Sequence, residues 1–163
     1  MCDNEHMAKP LLWFGIVVLA FGAIAALEIQ HFSIGVFDQS SLPTAQLSPV
    51  TLDGVQLYVT IADTPAKQAQ GLSGTASLPQ DDGMLFVFPV EGKYAFWMKD
   101  MNYSLDILWL DSSGRVVYIA PDLSPSTYPN NYAPNTPARF VLEVNAGFVA
   151  QHDVQVGDIV HFQ

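Results

Sequence analysis

Cysteine is nearly absent from this chain, basic residues are few, and no internal repeat or low-complexity stretch runs through its 163 residues. Each shortage removes a class of explanation. With Cys2 as the single thiol, no intrachain disulfide can form and folding must rest on packing. Cys2 precedes a long apolar run rather than following it, so it is not placed like a lipoprotein cysteine. It reads as a free cytosolic thiol, with palmitoylation beside a membrane as the alternative. Six Lys and Arg against sixteen Asp and Glu leave a formal net charge of −10. That balance argues against nucleic acid and against docking on anionic lipid, both of which need clustered cations. There is no HExxH, no CxxC, no phosphate-cradling glycine loop and no nucleophile elbow, so no cofactor is implied.

What is present in excess is apolarity at one place. Residues 11–27 (LLWFGIVVLAFGAIAAL) carry no charge, and as a helix they reach about 25 Å, the short end of a bilayer span. Lys9 precedes the run and Glu28 follows it, so the positive-inside bias puts the amino terminus in the cytoplasm. The expected organisation is a short cytoplasmic segment at 1–10, a transmembrane signal-anchor helix at 11–32, a flexible linker at 33–49 and an exported domain at 50–163. The alternative is secretion after cleavage of a signal peptide at Ala23-Ile24-Ala25. Against cleavage, the apolar run exceeds an h-region of about 7–15 residues and its flank is not clearly basic. Both alternatives export the remainder. Residues 33–163 contain eleven Asp, two Glu, three Lys and two Arg, a net of −8 and no cysteine. A chain of that size supports one core and is expected to be a monomer.

Beyond residue 50 the punctuation is that of a β-rich domain. Asp53-Gly54 separates two short apolar runs as a hairpin signal, and residues 55–62 alternate with Val55, Leu57, Val59 and Ile61 on one face. Thr64-Pro65 opens a short helix that Gly71 ends. Residues 84–88, 94–98, 105–110, 115–120, 139–144 and 159–162 complete a set of eight expected strands, with a helical turn at 147–152. Helical pattern between strands is too scarce for a βαβ sheet. The fold class expected is all-β, a compact sandwich or barrel of about eight short strands with one or two short helices, preceded by the transmembrane helix.

Several blocks then become recognisable in order. Gln70-Gly71-Leu72-Ser73-Gly74, Leu78-Pro79 and Gly83-Met84-Leu85-Phe86-Val87-Phe88 come first. Phe96-Trp97-Met98-Lys99-Asp100-Met101, Leu105-Asp106-Ile107-Leu108 and Gly114-Arg115-Val116-Val117 follow. Ala138-Arg139-Phe140-Val141-Leu142-Glu143-Val144 and Val156-Gly157-Asp158 close the series. Together they resemble the domain of unknown function family 192 over about residues 51–162. The resemblance implies a compact β-rich domain, often behind a signal or anchor segment in prokaryotes, and no established activity. Ser73-Gly74 stands where the family usually carries a larger residue, and Asp100-Met101 where Asn-Thr is commoner.

Polar groups inside strand patterns are the candidate site, because a buried charge must be paired or neutralised. Asp106 shares a strand face with Leu108 and Leu110, and Glu143 shares one with Val141 and Arg139. A shallow pocket of Trp97, Lys99, Asp106, Arg139 and Glu143 would bind a small ligand or envelope component, with Trp97 as stacking surface. The bland alternative makes Asp106 an ion-pair partner of Lys99 or Arg139 and Trp97 a core residue. Two further alternatives are a small envelope hydrolase using Asp106 and Glu143 as acid and base, and copper binding by Met84, Met98 and Met101 with Trp97, His152 and His161. Binding rather than catalysis is the expectation, and Met is also an ordinary core filler. The proline-rich loop 121–137 carries Tyr128 and Tyr132, either as a partner-binding surface or as a strap over one end of the domain. Asn102-Tyr103-Ser104 fits a glycosylation acceptor, which has meaning only in a eukaryotic secretory context.

Overall fold

The computed structural model describes residues 47–163. The expected membrane helix at 11–32 lies outside them, as does most of the linker, and no helix among the described residues is long and apolar enough to cross a membrane. The first strand, β1 (Leu47–Leu52), begins three residues earlier than the sequence suggests. Asp53 and Gly54 both take positive φ (49° and 79°), as a two-residue hairpin turn requires, and lead into β2 (Val55–Ala62). The hairpin register pairs Leu52 with Val55 and Val50 with Leu57.

Thr64 caps α1 (Pro65–Gln70), its side chain accepting from the Lys67 N–H. Gly71 ends the helix at φ 51°, donating its N–H to the Lys67 carbonyl. The chain then enters β3 (Asp82–Gly92), which runs parallel to β2. This single crossover through α1 departs from the expectation of a sheet without βαβ units. All other ladders are antiparallel. β4 (Leu105–Leu110), β5 (Val116–Leu123), β6 (Ala138–Asn145), α2 (Phe148–Gln151) and β7 (Val160–Phe162) follow. A single turn of 3₁₀-helix, Pro125–Thr127, lies between β5 and β6.

Seven strands form one sheet in the order β5-β4-β6-β3-β2-β1-β7. Its two ends approach each other. The Val116 N–H donates to the Asp158 carbonyl and the Val160 N–H to the Gly114 carbonyl (2.8 and 2.9 Å), so the sheet curls into a partly closed barrel. The all-β expectation holds in this form.

Two cores follow from the curl. Inside the barrel every strand contributes, through residues such as Leu52, Leu57, Leu85, Leu108, Val116, Leu142 and Val160. On the outer face of β3, β6, β4 and β5 a second core forms from Phe86, Val141, Ile107, Trp109 and Ala120, with Met98 packed onto it. β4 lies between the two, which is why all six of its residues are buried.

The eighth expected strand, residues 94–98, is not one. Its alternation of Tyr94, Phe96 and Met98 is that of a segment laid across the outer core, and Phe96 makes only an isolated bridge with Tyr132. Packing against a hydrophobic face produces the same period of two as pairing in a sheet. Through that bridge the proline-rich loop straps the outer core.

Candidate functional site

Over the outer core lies a cavity of about 310 Å³, within the size range of small-molecule sites. Residues 68–73, at the end of α1 and its capping turn, form one wall; residues 94–97 and Met101 form the other; Phe86, Phe88 and Glu143 close it from the sheet. These walls are the Gln-Gly-Leu-Ser-Gly and Phe-Trp-Met-Lys-Asp-Met blocks, far apart in the chain and fastened together. The Ser73 hydroxyl donates to the Lys99 carbonyl (2.9 Å), the Gly74 N–H to the Asp100 carbonyl (2.8 Å) and Asn102 Nδ2 to the Thr75 carbonyl (2.8 Å). Gln68 Nε2 anchors α1 to the sheet by donating to the carbonyls of Ala62 and Val87. Gly71 is required by its positive φ, and a Cβ there would already stand 3.4 Å from the Phe86 ring.

The lining is aromatic. Phe88 and Tyr94 stack with ring centroids 3.5 Å apart, and Phe96 meets Phe86 edge-on at 4.8 Å and Trp109 at 5.8 Å. Trp109, the core tryptophan, donates its indole N–H to the Tyr94 carbonyl at 2.8 Å. Trp97 is 53% exposed at the rim, with Tyr128 edge-on to it at 6.3 Å. Trp97 is therefore not a core residue.

Among the described residues Glu143 is the one acidic group of the lining, and no Lys, Arg or His joins it. On β6 it stands between Met84 of β3 and Ile107 of β4, and only 6% of it is exposed. Among the described residues its Oε2 has no hydrogen-bond partner. Burial pushes the carboxyl up to about 8, so the protonated form predominates at neutral pH.

Asp106 occupies the other side of the sheet. It is completely buried, and its two oxygens accept from the Asp122 N–H (2.7 Å) and the Val149 N–H (2.8 Å), tying β5 and the first turn of α2 to β4. Backbone donors meet this carboxylate, not Lys99 or Arg139. Both of those residues are exposed; Lys99 contributes only its carbonyl to the wall fastening, and the Arg139 guanidinium lies 5.9 Å from the Phe140 ring. Asp106 and Glu143, the acid–base pair of the hydrolase alternative, thus do not share a site.

Of the expected pocket, then, the structure brings together Glu143 and Trp97, with Tyr128 against Trp97. It separates Asp106, Lys99 and Arg139 from them. Tyr132 takes part through its backbone, which exchanges two 2.9 Å hydrogen bonds with Phe96. Gln68, Gln70, Phe86, Phe88, Tyr94 and Phe96 were not among the expected site residues. The signal that points to them is the pair of sequence blocks itself, read as two walls rather than one. The copper set does not converge. Met84, Met98 and Met101 pack in or against the outer core, whereas the His152 ring lies tilted against Phe148 of the inner core and His161 lies on β7 opposite Thr51. Among the described residues no three His, Cys, Asp or Glu side chains group as metal ligands.

Comparison with known proteins agrees with this architecture. A UPF0127 protein of Thermococcus gammatolerans is 31% identical over 105 residues, 63% of this chain and 65% of that protein's own length. A second, from Thermococcus kodakarensis, is 30% identical over 63% of this chain and 62% of its own length. The chain therefore spans less than two thirds of the curated relatives it matches. A protein of unknown function from Novosphingobium aromaticivorans shares the fold with a TM-score of 0.69 at 29% identity, over 75% of this chain and 89% of that one. A Sinorhizobium meliloti protein, provisionally assigned as a transcription regulator, does so with a TM-score of 0.68 at 30% identity, over 71% and 93%. The model of DUF192, described as an uncharacterized ACR, matches residues 48–162, and the chain belongs to that family.

Proposed function

We propose that this domain is a small-ligand binding module whose site is the Glu143 cavity, displayed outside the cytoplasm on the anchor at residues 11–32. The observation that carries the reading is a buried carboxyl with an unpartnered oxygen in the lining of an aromatic cavity. Buried polar groups without partners are rare, and one beside a cavity is explained when a ligand supplies the missing partner. Acid–base catalysis has less to recommend it, because no second carboxylate lines the cavity. A role on DNA, as provisionally assigned to the Sinorhizobium protein, fits poorly with a chain carrying six basic and sixteen acidic residues.

Two experiments test the reading. Isotope-labelled full-length protein in detergent micelles is titrated with a library of small polar and aromatic fragments. Binders are expected to shift the amides of Gly71, Leu72, Ser73, Ala95 and Trp97. Binders that shift only other regions would overturn the cavity as the site. For the location, alkaline extraction of membranes is expected to leave the protein in the pellet, with protease reaching the domain from outside. Release into the supernatant as a shortened chain favours cleavage after Ala25 instead.

A further inference from the structure

Resting on that reading, we infer that the ligand presents a protonated primary or secondary amine to Glu143 and lays an apolar or aromatic body against the rings of Phe88, Tyr94 and Trp97. The cavity lining holds no counter-charge for Glu143. Tyr94 is the other ionisable residue of the lining, and its hydroxyl is committed to the Val90 carbonyl at 2.7 Å. Met84 and Ile107, opposite Glu143 in the sheet, are apolar. No cation of the cavity lining can therefore neutralise Glu143. A buried carboxyl so placed either keeps a proton or receives a cation from outside.

An ammonium group meets each part of this arrangement. Its N–H donates to the unpartnered oxygen, its charge balances the carboxylate, and aromatic faces attract it further. A quaternary ammonium lacks the N–H and leaves Oε2 without a donor. An anion would find no Lys, Arg or His in the lining to balance its charge, and it would be repelled whenever Glu143 ionises. The acidic balance of residues 33–163, a net of −8, also draws cations toward the domain.

At neutral pH Glu143 is mainly the acid, since burial pushes it up to about 8. Binding of R–NH₃⁺ stabilises the carboxylate, so the carboxyl proton leaves to solvent while the amine keeps its own. Up to one proton is released per ligand bound, and the number falls as the pH rises through the range in which free Glu143 ionises.

The test uses full-length protein, with benzylamine and its neutral counterpart benzyl alcohol as probes, in calorimetric titrations at pH 7 in buffers of different ionisation heat. Benzylamine is expected to bind at least about tenfold more tightly than benzyl alcohol, to shift the amides of the cavity walls, and to release a proton. In Glu143→Gln the amine preference is expected to collapse to within about threefold and the proton release to vanish. Equal binding of the two probes at the cavity walls overturns the amine while leaving the binding module intact. An amine preference that survives in Glu143→Gln overturns it too, and if that variant does not fold the comparison of the two probes on the parent protein decides. Binding of both probes away from the walls overturns both readings.

Discussion

Asp106 and Glu143 lie on adjacent strands one register step apart, Asp106 opposite Val144 and Glu143 opposite Ile107, and face opposite sides of the sheet. Both are buried, and they meet the cost of burial differently. Asp106, toward the barrel interior, is ligated by two backbone N–H groups and joins three elements. Glu143, toward the outer core, has an oxygen with no donor and is held protonated instead. The first arrangement suits architecture and the second leaves an unmet valence beside a cavity. Their predicted responses to substitution therefore differ in sign.

Glu143 makes stability fall as pH rises. Its carboxyl is raised from 4.5 to about 8 in the folded protein. Between those values the folded state holds a proton that the unfolded chain has released, so raising the pH favours unfolding. The contribution is fully favourable below the unfolded value and is lost as pH climbs through the folded one. Its size is on the order of a few kcal/mol at most. Glu143→Gln, which cannot ionise, is expected to melt higher than the parent at pH 8 and nearly alike at pH 4.5. Thermal unfolding of both proteins from pH 4.5 to 9 checks this. Parallel profiles would show that water or a rearranged partner already neutralises the group.

Asp106 behaves oppositely. Removing the buried side chain in Asp106→Ala leaves the part-buried N–H groups of Asp122 and Val149 without their acceptor, at about 1–3 kcal/mol each. A total loss of about 3–5 kcal/mol is expected by denaturant unfolding, with amide exchange accelerating first around α2. Asp106→Asn keeps one good acceptor and is expected to lose roughly half as much. Neither change should alter fragment affinity at the Glu143 cavity while the domain remains folded. A tenfold affinity loss in folded Asp106→Asn would mean that the two faces are coupled and that Asp106 is not architectural alone.

The strands and the site differed in how plainly the sequence announced them. β2 was legible because alternation there is the direct imprint of a pleated strand with two distinct faces, β4 because a short, nearly continuous apolar run marks a strand covered on both faces, and the hairpin because Asp53-Gly54 suits few other conformations. Residues 94–98 misled for a physical reason. A coil crossing a hydrophobic face alternates just as a strand does, and the hydrogen-bond partners that separate the two cases belong to residues elsewhere in the chain. The odd character of Asp106 and Glu143 was visible one residue at a time. That they face apart follows from the register of β4 on β6, a quantity no single strand encodes. The cavity was hidden more deeply still, since its walls are joined by Ser73 to Lys99 and Gly74 to Asp100 across the whole of β3.

Closure of the barrel offers the sharpest steric prediction, because two glycines of nearly equal φ have very different surroundings. Gly54 and Gly114 have φ of 79° and 80° in tight turns. A Cβ on Gly54 meets nothing within 4 Å, whereas one on Gly114 lies 2.5 Å from the Val160 carbonyl oxygen and 3.2 Å from the Phe162 ring. Gly54→Ala therefore costs only the left-handed strain, about 1 kcal/mol. Gly114→Ala carries the same strain and must also push β7 away from the start of β5. That movement breaks the bond from the Val160 N–H to the Gly114 carbonyl and exposes the edge that the Val116 N–H closes on the Asp158 carbonyl. An additional loss of about 2–3 kcal/mol is expected for Gly114→Ala over Gly54→Ala. Native-state hydrogen exchange should show Val116, Gly157 and Val160 losing protection in that variant alone. Equal stabilities for the two variants would mean that the β5–β7 seam contributes little, and that the domain behaves as an open sheet wrapped around its core.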